Sequence, residues 1–394
     1  MTASDRELMR PPTRAVRCRK GRAATLALVT AAAIVAISGI AFAAAGGHSH
    51  AASFSRHAAS RRLCGGRYKL PKPIARQFTF HDSRSKGIRG LAFCGNGSFL
   101  AAADGNGRVY VWSMATHKLV ETMRDPHSKG VSALAYRPHA ATTTLAAADA
   151  DGSVYLWRPG RAGPRRLADR GSRGIRALAF SPDGALLAVA DGNGHAYIWS
   201  MRTYRVVAVL HDPGSKGVTA VAFRSDGKKV ATGDANGWTF AWTLSRSVRA
   251  RLQAGLHDSD SKGVRAVAFR AGTATIAIAD GNGRDYLWVP GNRRPRILTD
   301  PASKGINAEA ITPAGGFLAA ADAIGRLYLW ALPADMVVEF QPARRVRSLR
   351  SVAFSPDSRR ASAGASDGTI YVTDTSSIGI SVAFNAVAAA HPSG

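Results

Sequence analysis

The feature that most constrains this chain is a phrase that returns about every 43 residues. HDSRSKGIRGLAF begins at His81, DPHSKGVSALAY at Asp125, HDPGSKGVTAVAF at His211, HDSDSKGVRAVAF at His257 and DPASKGINAEAI at Asp300. The residue closing the phrase falls at Phe93, Tyr136, Phe180, Phe223, Phe269, Ile311 and Phe354, in steps of 43, 44, 43, 46, 42 and 43. A second landmark keeps pace. Trp112, Trp157, Trp199, Trp242, Trp288 and Trp330 end RVYVW, SVYLW, HAYIW, WTFAW, RDYLW and RLYLW, and Thr373 takes that place in TIYVT. Self-similarity at this period means one supersecondary unit copied in tandem, each copy burying its apolar face against the next. Seven copies are present.

Inside a unit the apolar runs are short, β-branched or aromatic, and broken by turn residues, which is a strand pattern. Around Trp242 the sequence predicts strands over 205–210, 218–223, 229–232 and 238–242. Ser225-Asp226-Gly227 separates the second from the third and suits a tight turn, as do Ser181-Pro182-Asp183-Gly184 and Ser355-Pro356-Asp357. Asn236-Gly237 separates the third from the fourth. Its counterparts Asn106-Gly107, Asn193-Gly194, Asn282-Gly283, Asp151-Gly152 and Asp367-Gly368 are strong two-residue hairpin signals.

Four-stranded units at this period resemble the WD-repeat β-propeller family, and LRSVAFSPDSRRASAGASDGTIYVTD (349–374) matches its repeat almost throughout. The resemblance spans residues 74–375 and implies an all-β fold, a seven-bladed β-propeller of four-stranded blades. More narrowly, HDPGSKGVTAVAF with the DGNG-x-x-Y-x-W ending is similar to the repeat of exported or membrane-tethered bacterial WD-repeat proteins. The chain departs from the family in having no Trp-Asp pair and in replacing Gly-His by His-Asp or Asp-Pro, so the usual Asp-His-Ser-Trp tetrad cannot form as such.

A substitute is expected. Asp82, Asp125, Asp169, Asp212, Asp258 and Asp300 each precede by four Lys86, Lys129, Arg173, Lys216, Lys262 and Lys304. A second carboxylate, Asp104, Asp149, Asp191, Asp234, Asp280 or Asp322, precedes each Trp by eight. The expectation is that the basic side chain bridges the two acids, so that Lys216→Ala lowers the melting temperature. For ring closure, either the run 74–80 or the tail run 378–384 can complete the last blade and remove its open edge.

The amino-terminal region carries a different signal. Residues 1–22 hold seven basic residues against Asp5 and Glu7, and 23–45 hold no charge and suffice to cross a hydrocarbon layer of about 30 Å. This segment is expected to be a transmembrane anchor or signal segment. The positive-inside bias leaves residues 1–22 as a cytoplasmic leader and the propeller on the extracytoplasmic side. Ala41-Phe42-Ala43 has the form of a cleavage site, so secretion is the alternative. Residues 46–73 read as a linker and 376–394 as a carboxy-terminal tail.

Composition narrows the function. Three cysteines, no CxxC and no Cys/His cluster exclude a zinc ribbon or a disulfide-dense scaffold. Cys64 and Cys94 both follow the apolar segment, and in an oxidising setting they are expected to pair. Asp104-Gly105-Asn106-Gly107 resembles part of a calcium loop but lacks the distant bidentate Glu, so the turn reading holds. No GxSxG, HExxH or phosphate loop is found, and neither an enzyme nor a cofactor is expected.

The net charge of +27 leaves +22 after removal of the leader (7 minus 2). Export argues against nucleic acid, and no basic stretch is interleaved with aromatics. Anionic envelope polymers or lipid head groups suit such a domain better. Two residues past each Gly of the SKG phrase stand Arg89, Ser132, Arg176, Thr219, Arg265, Asn307 and, by the same register, Arg350. The resemblance places this region at the end of the ring where partners dock. Arg89, Arg176, Arg265 and Arg350 are therefore the expected ligand-binding residues of a non-catalytic scaffold for protein partners. The alternative is a propeller enzyme, or a receptor for a small or polymeric anionic ligand at the channel mouth.

Overall fold

The computed structural model describes residues 68–69, 77–81, 84–124, 128–139, 143–158, 163–168, 171–212, 214–299, 303–332, 336–340 and 346–375. Each repeat folds as an antiparallel sheet whose strands follow chain order from the inside outward. In blade 1 these are Ile88–Phe93, Phe99–Asp104, Arg108–Ser113 and Leu119–Arg124. In blade 4 they are Val218–Phe223, Lys229–Asp234, Trp238–Leu244 and Ala250–His257. Of the four expected strands, 218–223, 229–232 and 238–242 are found there, the last two running two residues further, whereas the run 205–210 is the outer strand of blade 3, at Val206–His211. The first strand of each blade touches the first strand of the next, and Leu349–Phe354 of blade 7 touches Ile88–Phe93 of blade 1. The described residues thus form a closed ring of seven blades, with the first strands innermost.

Closure is made by the earlier of the two candidate runs. Gln77–His81 pairs with Thr369–Asp374 and fills the outer place in blade 7. The rival run 378–384 lies outside the described residues, as do the segments 1–22, 23–45 and 46–67. Among the described residues no helix is long and apolar enough to cross a membrane. Blade 6 gains a fifth strand, Tyr68–Lys69, paired in parallel with Met336–Phe340.

The alanines of the second strands set the spacing between blades. Ala101, Ala102 and Ala103, Ala146 to Ala148, and Ala319 to Ala321 are almost wholly buried. A side chain of one carbon lets the inner strand of the next blade approach closely while still excluding water. Larger residues then fill the wedge. Val109 and Leu134 share one apolar cluster between blades 1 and 2, and Val154 and Leu178 share another between blades 2 and 3. The hairpin glycines act at the same contacts. Gly107 has φ +83°, and a Cβ on it would stand 2.7 Å from Cβ of Ser128 in the next blade. A side chain there meets both backbone strain and a clash.

Candidate functional site

Every inner strand begins with a β-bulge, at the same place. The register shifts between Ile88 and Gly90, and likewise at the equivalent pair in the other six blades. The extra residue is Arg89, Ser132, Arg176, Thr219, Arg265, Asn307 or Arg350. A bulged residue is released from the ladder and its side chain is re-aimed, here at one mouth of the channel. Sequence reading had found these positions without their cause.

The seven side chains do two jobs. In blades 2, 4 and 6 they tie neighbouring blades together. Ser132 Oγ donates to the Ile175 carbonyl at 2.7 Å, Thr219 Oγ1 to that of Val264 at 2.6 Å, and Asn307 Nδ2 to that of Leu349 at 2.7 Å. In blades 1, 3, 5 and 7 they are exposed arginines. Arg89 lies over the turn of the following blade, where a Cβ on Gly130 would stand 3.1 Å from its Nη1. Arg176 lies in the same way over Gly217, at 3.2 Å from Cζ, and Arg350 over Gly87, at 3.0 Å from Nη1. Arg265 stands beside Gly281 of its own blade, at 3.1 Å from Nε. The four predicted residues therefore share one end of the ring, on blades 1, 3, 5 and 7, of which 7 and 1 are neighbours.

The expected bridge from Lys or Arg to two carboxylates is corrected. The carboxylate eight before each Trp is deeply buried, but it is held by backbone N–H groups. Asp104 Oδ1 accepts from Lys86 N at 2.9 Å and Asn106 N at 2.8 Å, and Asp191 Oδ1 from Arg173 N at 2.9 Å. Asp280 Oδ1 accepts from Lys262 N at 3.0 Å, while Ser261 Oγ donates to its Oδ2. Lys216 and Lys262 reach neither of their two described carboxylates within 4 Å. Ion pairs among the described residues join Arg166 to Asp151, Arg224 to Asp226 and Arg284 to Asp260. An amide donates at a fixed angle and loses no side-chain entropy, whereas a lysine ammonium must be both desolvated and immobilised. Asp82, Asp125, Asp169 and Asp300 lie outside the described residues.

The amides of Lys86, Lys129, Arg173, Lys216 and Lys262 are engaged by side-chain acceptors, and the basic side chain of each turn is left to solvent. Lys86, Lys129, Arg173, Lys216, Lys262 and Lys304 are all exposed, and Arg347 holds the same place in blade 7. Sequence reading missed this second tier because it had assigned these cations to ion pairs. The acids below them are held in a poorly solvated layer. Burial raises the Asp149, Asp234 and Asp322 carboxyls above the usual range. Burial, and then the neighbouring Asp234 carboxylate, push Asp212 up to about 7.

The indoles differ in what they find in place of the family's usual tetrad. Trp242 Nε1 donates to Thr232 Oγ1 at 2.9 Å, whereas Trp112 and Trp330 have an alanine, Ala102 or Ala320, at the equivalent place and no acceptor for their Nε1. Among the described residues Cys94 is a buried free thiol. Its Sγ contacts Asn96 Oδ1 at 2.9 Å and accepts from Phe99 N at 3.1 Å, which closes the first hairpin. Cys64 lies outside the described residues. Among those residues no group of three or more His, Cys, Asp or Glu is placed to hold a metal ion.

The family model of the WD domain, G-beta repeat, matches residues 73–113, 118–158, 167–200, 205–243 and 343–374. The matched stretches are WD40 repeats. Each of the first four matches begins in or near an outer strand and ends with the third strand of the next blade. Residues 244–342, which hold the outer strand of blade 4 and build blades 5 and 6, are unmatched, yet those two blades keep the same four-strand order. No curated protein matches the chain. WD40 propellers generally mediate protein interactions and are typically non-catalytic scaffolds.

Proposed function

We propose that this WD40 propeller is a non-catalytic docking platform whose partner protein binds at the bulged mouth. Arg89, Arg176, Arg265 and Arg350 would supply the charged contacts. The observation that carries the reading is the bulge in every inner strand, which turns four arginines out of the ladder and leaves them exposed at one end. Guanidinium forks suit carboxylate groups on a partner better than lysine does. The uncharged run 23–45 and its basic flank support a membrane-tethered platform with its amino terminus cytoplasmic and its ring outside.

Two measurements test the proposal. Exported partners cross-linked to the full chain should be lost when all four arginines are changed to Gln, with the circular dichroism of the ring unchanged. Equal recovery by the variant removes the mouth as the docking face. The tethered form should resist carbonate extraction and keep its first residues, whereas a mature chain beginning near residue 44 replaces tethering by secretion.

A further inference from the structure

The mouth carries more positive charge than its four arginines. One exposed Lys or Arg stands at each of the seven turns beside it, and none of these side chains makes an ion pair with a described residue. The two tiers meet. Arg350 leans over Gly87 next to Lys86, Arg89 over Gly130 next to Lys129, and Arg176 over Gly217 next to Lys216. Three junctions between blades therefore set a guanidinium against a turn that carries an exposed lysine, while the carboxylates eight before each Trp are buried beneath backbone donors and the exposed Asp260 is paired with Arg284. Like charges placed side by side raise the local potential and favour association with a counter-charged ligand.

We infer that this two-tier collar binds a linear phosphate polyanion across the channel mouth. The inference rests on the same face being the docking face, and adds a ligand class to it. Two properties of the collar point to phosphate without bases. Its cations are closely spaced around one opening, which matches a chain bearing charge on every short repeat rather than acids at the ends of flexible side chains. The bulge positions and the basic turn positions hold no aromatic residue, so bases would find no stacking platform there.

Long-chain inorganic polyphosphate is the probe, titrated into the full chain with polyglutamate and oligothymidylate as parallel arms. Polyphosphate should bind most tightly per charge, and weaken more than about tenfold between 50 and 200 mM NaCl as counterions compete. Changing Lys86, Lys129 and Lys216 together to Gln should lower affinity about tenfold. Changing Lys118, Arg202 and Lys228, which are exposed at turns of the opposite end, should leave it within about twofold. Absence of polyphosphate binding, equal losses in the two triple variants, or tighter binding of either other polymer each overturns the inference. The platform reading is scored separately, because loss of a protein partner in the four-arginine variant does not depend on polyphosphate.

Discussion

Between blades 1 and 2, Val109 of a third strand and Leu134 of an inner strand close the wall with apolar surface; between blades 5 and 6 the same two places hold Asp285 and Glu309. The apolar pairing recurs as Val154 with Leu178, Ala196 with Val221, Leu327 with Val352, and Ile370 with Leu91. Asp285 is 3% exposed and Glu309 9%, yet Asp285 Oδ1 and both Glu309 oxygens have no hydrogen-bond partner. The charged neighbours acting on them are also acids, Asp280 on Asp285 and Asp285 on Glu309. Burial first, and then these neighbours, raise Asp285 to about 8 and Glu309 well above its ordinary value. The difference teaches that the backbone repeat fixes the geometry of all seven contacts, while each contact chooses its own chemistry. At this one, burial favours the protonated forms of both acids.

Moving the acids should have the largest effect. Val154→Asp with Leu178→Glu installs the blade 5–6 chemistry between blades 2 and 3. It should cost more than about 4 kcal/mol at neutral pH, since it removes apolar packing and buries unpaired carboxyls. A melting temperature within a few degrees of the parent would show that the two contacts are equivalent after all.

The reverse exchange, Asp285→Leu with Glu309→Val, should stabilise the ring by about 1–4 kcal/mol at pH 8. The gain should shrink on acidification. Groups whose folded pKa is raised bind more protons folded than unfolded, so their contribution is complete below the unfolded value and is lost as pH rises toward about 8. Across that window the parent should lose up to about 1.4 kcal/mol per pH unit for each group relative to the double variant. A difference independent of pH, measured by thermal melts from pH 5 to 8.5, would mean that the pair is already ionised in the ring.

The tie between blades 6 and 7 offers a smaller contrast. Asn307→Ala should cost about 1 kcal/mol by leaving the Leu349 carbonyl without its side-chain donor. Smallest of all is Lys216→Ala, expected to change stability by less than about 0.5 kcal/mol, because its side chain is exposed and its amide remains. A drop comparable to the Asn307 variant would restore the ammonium to a structural role.

Much of this architecture was legible in the sequence. The 43-residue period and the Asn-Gly hairpins gave seven units, and Val218–Phe223 is a strand with the predicted ends. Closure was undecidable because two apolar runs of similar character competed for one outer edge, and the winning pairing is non-local. The bulges left no local sign: Arg89 and Ser132 have little in common except their register. Lys216 was misread because a sequence displays side chains, whereas the donors to the buried acids are amides that almost every residue carries. The blade 5–6 acids were visible but unmarked. Glu309 interrupts a column that otherwise holds Leu91, Leu134, Leu178, Val221, Val267 and Val352, and reading the repeats as columns would have exposed it.

The strand that closes the ring also sets a timetable. His81 and Thr369, opposite each other in that last pairing, are 288 residues apart along the chain. At about 5–20 residues per second, the run 77–81 leaves the ribosome roughly 15–60 s before its partner exists. For that interval blades 1 to 6 can be assembled while the ring still gapes, with Phe78 and Phe80 waiting for the Thr369–Asp374 strand. Birth order thus divides the molecule into an arc that can form early and a clasp that can shut only after the Thr369–Asp374 strand has been made.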